Sequence, residues 1–369
     1  MNDNILSSSG ASVQPNSKIN ADGLCWYEPT QTPFLLHGIS WDENGYKRMD
    51  SDVAENINGE VYALHRSTSG GRLTFETDSP YIAIYAECPE VSPATMPLTG
   101  YTGFDLYLEQ EDGLEFTNVF VPPVSMNDGY EGIYHFREPA PRKILLHFPL
   151  YNSVRRFWIG LKAGATILAY SPYTEDLPVV FYGSSITQGA CASRPGNSYA
   201  AIYSRLARRD ILCLGFSSGA HGEEQMAGYI ANLPMSMFVL DYDHNDCDKP
   251  EKLKERHERF YKIVRKAHPD IPIIIMTAPY AAKTFYDACP AKSKKYLRRT
   301  YMNARNAGEP VAFLDCGRIF GPDKDAALTD RIHPNDYGHI KMARGVLRCA
   351  RALEKQLSTG NNAVKEDKT

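Results

Sequence analysis

Apolar and polar residues alternate in short runs through the first 170 positions. Arg72-Leu-Thr-Phe-Glu-Thr, Tyr81-Ile-Ala-Ile-Tyr-Ala, Phe104-Asp-Leu-Tyr-Leu-Glu and Lys143-Ile-Leu-Leu-His-Phe each approximate a two-residue repeat, the period at which successive strand side chains fall on opposite faces. Ser69-Gly-Gly, Asp112-Gly, Pro122-Pro and Asp128-Gly separate these runs with turn-forming residues. With no long helical period between them, the pattern predicts an antiparallel, jelly-roll-like β-sandwich over 1–170.

After Pro172 apolar runs alternate with amphipathic stretches. Strands are predicted from Pro178 and over 211–216, 236–242, 271–277 and 311–315, and helices over 198–209, 223–232, 251–267, 293–306 and 336–356. Such alternation implies an α/β domain over 171–357, with parallel strands, right-handed crossovers and helices on both faces. Ligands in such sheets bind at the carboxyl ends of the strands. The polar stretch 358–369 is expected to be a disordered tail.

Composition narrows the function classes. Of 369 residues, 43% are hydrophobic and 23% charged, and 40 Lys+Arg against 44 Asp+Glu leave a net charge of -4, which argues against a duplex-binding protein. The polar residues 1–16 do not read as a secretory signal, and no apolar run reaches the ~20 residues of a membrane span. The expectation is a cytoplasmic protein with neither nucleic-acid nor membrane partners. The eight cysteines contain no C-x-x-C pair, so they are read as reduced, buried small side chains and no metal site or cofactor is expected.

Three segments concentrate chemistry at predicted strand ends. The first strand runs into Gly183-Ser184-Ser185-Ile186-Thr187-Gln188-Gly189, a turn that presents a serine at the mouth of the sheet. A helix cap or phosphate-cradling turn is the plainer alternative, but the Gly-Lys-Ser/Thr of the Walker pattern is missing. Asp330-Arg-Ile-His333-Pro334 lies between the last strand and the last helix, and its His could serve a serine nucleophile while the carboxylate fixes the tautomer. Asp241-Tyr-Asp-His-Asn245-Asp246 with Asp248 suggests a calcium loop, yet its sixth position is Asp246 and its twelfth Lys252, where Gly and Glu are required. Asn245 can instead offer its amide to an oxyanion.

These segments resemble the SGNH (GDS-type) serine hydrolases over about residues 178–356. The resemblance implies Ser185 as nucleophile, Asp330 and His333 as the last-block pair, and Asn245 as an oxyanion donor beside the Ser185 amide. The second block matches Leu214-Gly-Phe-Ser-Ser218-Gly219, where the expected Gly is displaced by one residue, so Ser218 or Gly219 presents the amide. Ser184 stands where the first block usually has Asp, and the third block lacks its leading Gly. Gly103-Phe-Asp-Leu-Tyr107 is similar to the Gly-x-Asp-Leu-Tyr signature of a β-sandwich preceding some of these hydrolases. That makes 1–170 a candidate carbohydrate-contacting domain.

Within this subset, Tyr182 to Gly196 and Asp241 to Asn245 are similar to carbohydrate acetylesterases, including those acting on acetylated mannans. The implied activity is removal of O-acetyl groups from short oligosaccharides of mannan or other hemicellulose. A lipid-type acetylhydrolase or lysophospholipase would want an apolar lid that is not evident, and an inactive carbohydrate-binding protein would not need the intact Ser, Asn, Asp and His. Arg194, in the loop Cys191-Ala-Ser-Arg-Pro-Gly-Asn197, is a candidate substrate contact or a loop anchor. His221, His244 and His339 lie in or near these segments with no assigned role. The basic run Lys292 to Arg299 reads as a solvated helix face. A fragment from about Ser171 onward is expected to cleave a small acetate ester by itself, and its oligosaccharide activity to fall much further.

Overall fold

Arg72–Thr77, Tyr81–Glu87, Phe104–Gln110 and Arg142–His147 are strands, as the two-residue alternation predicts, in a computed structural model that describes residues 14–91, 95–279 and 289–366. The chain divides into two units. The first holds the segments up to Met49, His65–Thr174 and Ala192–Gly196, and the second holds Asp50–Leu64, Glu175–Cys191 and everything from Asn197. The interchange of two short segments differs from the simple division near residue 170.

In the first unit, one antiparallel sheet runs Leu24–Tyr27, Arg156–Lys162, Tyr81–Glu87, Tyr130–His135. The other runs Ile167–Leu168, Arg72–Thr77, Arg142–His147, Phe104–Gln110, Gly113–Phe120, with Leu35–His37 also on Arg72–Thr77. Alternate residues of both sheets, among them Leu73, Phe75, Ile82, Ile84, Leu106, Ile144, Leu146, Phe157 and Ile159, form one buried core. This is the β-sandwich.

The opposite face of the second sheet carries a buried polar row that alternation alone would assign to solvent. His147 sits opposite Arg72 on one side and Asp105 on the other, and all three are buried. Asp105 accepts from Arg194 at 2.8 Å and from the Gly196 N–H at 2.9 Å, and lies 2.9 Å from His147 Nδ1. Burial would raise the Asp105 pKa, but His147 and Arg194 outweigh it and hold it below the ordinary carboxylate value. Arg194 also donates to the Tyr107 hydroxyl and lies 3.7 Å from the Phe116 ring centre.

The Gly103-Phe-Asp-Leu-Tyr107 signature thus has a physical account. Leu106 enters the sandwich core while Asp105 and Tyr107, one step either side, hold the 192–196 loop. Gly103 is required because a Cβ there would lie 2.3 Å from the Thr99 carbonyl oxygen. Asp105→Ala leaves two basic groups without their carboxylate and is expected to cost about 3–5 kcal/mol. Thermal melts would show this, and an unchanged melting temperature would remove the network from the stability of the sandwich.

The second unit is built on a five-stranded parallel sheet ordered Ile211–Gly215, Val179–Gly183, Met237–Asp241, Ile273–Thr277, Val311–Asp315. Tyr199–Ala207 packs with Asp336–Glu366, while Glu224–Ala231, Pro250–Ala267 and Cys289–Asn306 pack side by side. Val179, Phe181, Val239, Ile274 and Met276 meet Met342, Ala343 and Val346 in one core. Tyr182 stacks on Phe260 with ring centres 4.9 Å apart. Because the first strand lies between the second and third, the strand order reverses at the carboxyl end of Val179–Gly183, the position where such sheets bind ligands.

The structure adds helices that the sequence pattern did not signal, Ser51–Glu55, Gly59–Leu64 and Leu98–Tyr101, each too short to show a 3.6-residue period. The last helix continues to Glu366, beyond the expected end at Gln356 and into the stretch expected to be disordered. Residues 367–369 lie outside the described residues. Lys295, Arg298 and Arg299 are exposed on their helix while Leu297 points inward. Cys25, Cys88, Cys191, Cys213, Cys247, Cys316 and Cys349 are not in disulfides. Among the described residues, no helix is long and apolar enough to cross a membrane.

Candidate active site

The strand Val179–Gly183 ends directly in a one-turn helix, Ser185–Gln188, capped by Ser184, whose Oγ accepts from the Ile186 N–H. Serine and aspartate cap helices about equally well, so the departure at Ser184 keeps the turn. A Cβ at Gly183 would lie 2.0 Å from Thr187 Oγ1 and 2.4 Å from the Asp241 carbonyl oxygen, which leaves room only for glycine. Gly189 ends the turn in the left-handed conformation, φ 103°.

This turn and the loop before the last helix bring three predicted residues together. Ser185 Oγ lies 2.9 Å from His333 Nε2, and His333 Nδ1 lies 2.8 Å from Asp330 Oδ2. The other carboxylate oxygen accepts the backbone N–H groups of Ile332 and His333 at 2.8 and 2.7 Å. Burial would raise the Asp330 pKa, but these hydrogen bonds, led by the imidazole, bring it below the ordinary value. The anionic carboxylate is therefore placed to keep the ring proton on Nδ1 and leave Nε2 as acceptor towards Ser185. The loop is closed by a Thr329 N–H to His333 carbonyl bond and a bridge between Leu328 and Pro334.

The loop after Ile211–Gly215 distinguishes the two candidate amides. The Gly219 N–H donates to the Phe216 carbonyl, and the Gly219 carbonyl accepts from Asn58 Nδ2. Ser217 N–H donates to Gln188 Oε1 and Gly222 N–H to the Tyr182 hydroxyl. Ser218 adopts φ 57°, a left-handed conformation cheap only for glycine, and no partner for its N–H is found among the described residues. Of the two candidate amides, that of Gly219 is therefore engaged and that of Ser218 is the one without a described partner.

The Asn245 side-chain amide already has partners. Its Nδ2 donates to the carbonyls of Phe216 and Ala220, both at 3.1 Å. The side chain braces the loop that carries Ser218, and would have to release one carbonyl to meet an oxyanion directly. Arg194, the candidate substrate contact, lies in the first unit on Asp105, Tyr107 and Phe116, the anchoring alternative. Asn58 was missed: it follows the unpredicted Ser51–Glu55 helix, and its Oδ1 accepts the Val61 N–H as a helix cap does. An Asn before Gly59-Glu-Val was the available signal.

The three histidines without a role acquire partners. His339 accepts from the Tyr199 N–H and donates to the Ala190 carbonyl, fixing the end of the Ser185 turn, and burial pushes it down to about 4. His221 pairs with Asp246 at 2.9 Å, which raises its pKa. His244 is pushed down to about 4 by burial and then by His333, whose ring centre is 6.5 Å away. The acids of the third block take separate partners: Asp243 accepts from the Ala278 N–H, and Asp241 from Thr187 and Tyr199.

Asp241 lies directly under the Ser185 turn. Its Oδ2 accepts from Thr187 Oγ1 and the Tyr199 hydroxyl, both at 2.9 Å, and burial lifts its pKa from 3.8 to about 7 in spite of them. A raised carboxyl pKa means that the folded state binds the extra proton, so its stabilisation is complete below pH 3.8 and is lost as pH rises through about 7. Asp241→Asn removes that loss. Unfolding free energies from urea titrations of variant and wild type are expected to converge near the acid end and separate above neutrality, the variant being more stable by on the order of 4 kcal/mol. Parallel pH profiles would show that Asp241 does not titrate in this window.

Comparison with known proteins agrees with this geometry. Residues 176–351 match the GDSL-like Lipase/Acylhydrolase family, and residues 24–167 match GxDLY, the N-terminus of Esterase_SGNH_hydro-type. A protein described as a GDSL-like lipase from Bacteroides ovatus ATCC 8483 is similar at 25% identity and TM-score 0.80, covering 90% of this chain and 98% of that one. The salicylyl-acyltransferase SsfX3 of a tetracycline biosynthetic pathway shares the fold at 23% identity and TM-score 0.74, covering 91% and 99%. A family two carbohydrate esterase from Clostridium thermocellum does so at 17% and 0.59, covering 88% and 99%. None of the curated proteins matches the chain. With two matched segments in sequence order, a parallel sheet flanked by helices following a β-sandwich along the chain, and Ser185, His333 and Asp330 in hydrogen-bonded contact, residues 176–351 form a GDSL-like, SGNH-type acylhydrolase segment, that of a carboxylic ester hydrolase, preceded by a GxDLY segment.

Proposed function

We propose that the protein is a serine esterase that removes O-acetyl groups from carbohydrates. The observation that carries the reading is the Ser185–His333–Asp330 relay at 2.9 and 2.8 Å. Ser185 Oγ attacks the acetyl carbonyl as His333 Nε2 takes its proton, and the tetrahedral oxyanion is met by the amides of Ser185 and Ser218. His333 then returns the proton to the departing sugar hydroxyl. Water, activated by the same imidazole, releases acetate from Ser185. The sugar as leaving group is supported by the fold shared with carbohydrate esterases, including an acetyl xylan esterase from Butyrivibrio proteoclasticus.

A second reading is favoured by the likeness to the salicylyl-acyltransferase. In this reading the acyl group on Ser185 passes to an alcohol instead of water. Mass spectrometry of acetylated xylo-, manno- and cello-oligosaccharides before and after incubation distinguishes the two. Loss of acetyl with release of acetate supports the esterase. Acetyl moving intact to an added alcohol supports transfer, and no turnover of these sugars or of a small chromogenic acetate ester would overturn both.

A further inference from the structure

The group around His333 has a member that neither the relay nor the oxyanion site uses. Cys191 is buried, follows the Ser185 turn after Gly189 and Ala190, and has φ 63°. Its position is fixed from both sides of that turn: the Gly189 and Ala190 N–H groups donate to the Ser185 carbonyl, and the Ala190 carbonyl accepts from His339. Cys191 Sγ, a carboxylate oxygen of Asp330 and a ring nitrogen of His333 all lie within 4.8 Å of one another. The histidine and the carboxylate are partly exposed, so an ion can reach them from solvent.

We propose that Cys191, Asp330 and His333 form an inhibitory site for a thiophilic divalent cation of the Zn²⁺ class. The proposal rests on the reading of Ser185, His333 and Asp330 as the hydrolytic relay. Zinc takes thiolate, imidazole and carboxylate at about 2.0–2.3 Å in a tetrahedron, often with three protein ligands and an open fourth position. That geometry asks for donor spacings of about 3.5 Å, so the three donors, now within 4.8 Å of one another, need only small shifts: the sulfur draws in, and Nδ1 and Oδ2, 2.8 Å apart, open by a fraction of an ångström. Hard oxygen-seeking cations such as Mg²⁺ would gain little from the sulfur.

Binding is an exchange of a proton for a metal: the thiol S–H bond breaks, a sulfur–metal bond forms, and the proton goes to solvent, with no change of oxidation state. Either ring nitrogen gives the same outcome for the relay. A cation on Nε2 displaces the Ser185 hydroxyl and occupies the lone pair that must accept its proton. A cation on Nδ1 displaces the hydrogen bond to Asp330 and reverses the tautomer. The ester hydrolase is therefore switched off when the cation binds, and switched on again by its removal.

The test uses the full-length protein freed of metal with chelator, then titrated with Cd²⁺ while the thiolate-to-cadmium ultraviolet absorption is recorded. Wild type is expected to gain one such site, Cys191→Ser to lose it, and His333→Ala to bind at least about tenfold more weakly. In parallel, Zn²⁺ should inhibit cleavage of a small acetate ester reversibly with EDTA. Each variant being measured against its own metal-free rate, Cys191→Ser should need at least about tenfold more Zn²⁺ for the same inhibition. Equal absorption in wild type and Cys191→Ser, or equal sensitivity to Zn²⁺, overturns the site. If Cys191→Ser does not fold, an unchanged Cd²⁺ affinity in His333→Ala overturns it instead. A Cys191-dependent band in a protein that cleaves no ester would support the site and overturn the hydrolytic reading.

Discussion

Replacing Ser185 with alanine is expected to lower kcat by about six orders of magnitude, the loss typical when serine and histidine of a relay act as one unit. The chemistry has no substitute: Ser185 Oγ is the hydroxyl in contact with His333 Nε2 at 2.9 Å. The fold should survive, because the structural bonds of this residue use its backbone carbonyl, which accepts from Gly189 and Ala190, and these remain in the variant. Steady-state rates on a small acetate ester, with a melting curve as control, provide the measurement. More than a few percent of wild-type turnover in a folded variant would place the nucleophile elsewhere.

Asp330→Asn should reduce turnover by up to about 10⁴ with little effect on folding. The asparagine carbonyl can still accept the Ile332 and His333 amides that now meet Oδ1 at 2.8 and 2.7 Å. Its NH₂ then faces His333 Nδ1 and donates to it. That forces the ring proton onto Nε2, where it points at Ser185 and cannot accept the hydroxyl proton. Proton NMR of the imidazole should show the tautomer reversed. Wild-type turnover in Asp330→Asn would mean that another group orients the ring.

Much of this site is legible in the sequence because parallel α/β sheets collect chemistry at one end. Ser185 and His333 are 148 positions apart, yet each directly follows a predicted strand or precedes a predicted helix, and topology places both at the carboxyl ends. The parts that were not legible depend on backbone conformation or on which face of a strand is covered. Ser218 is distinguished from Gly219 by φ 57° and by the bond from Gly219 to Phe216, neither of which has a pattern in the chain. Asp105 alternates as an exposed residue would, and only the Arg194 loop shows why it is buried. Asn245 was placed in the right loop, but the direction of its amide follows from the carbonyls of Phe216 and Ala220. Helices as short as Gly59–Leu64 carry no period to detect.

The interleaving of the two units along the chain bears on how this protein can be dissected. A fragment begun near Ser171 omits Asp50–Leu64, which belongs to the hydrolase unit, and with it the Asn58 amide on the Gly219 carbonyl. It retains Ala192–Gly196 but not the Asp105 and Tyr107 that hold Arg194. No single scissor point therefore yields a complete hydrolase, and such a fragment should be a poorer catalyst even on a small acetate ester than the sequence suggests. Deletion mapping across this junction would mistake damage to the loop that carries Ser218 for a loss of substrate recognition. Point substitutions, or a circular permutant that keeps residues 50–64 with their partners, avoid that confusion.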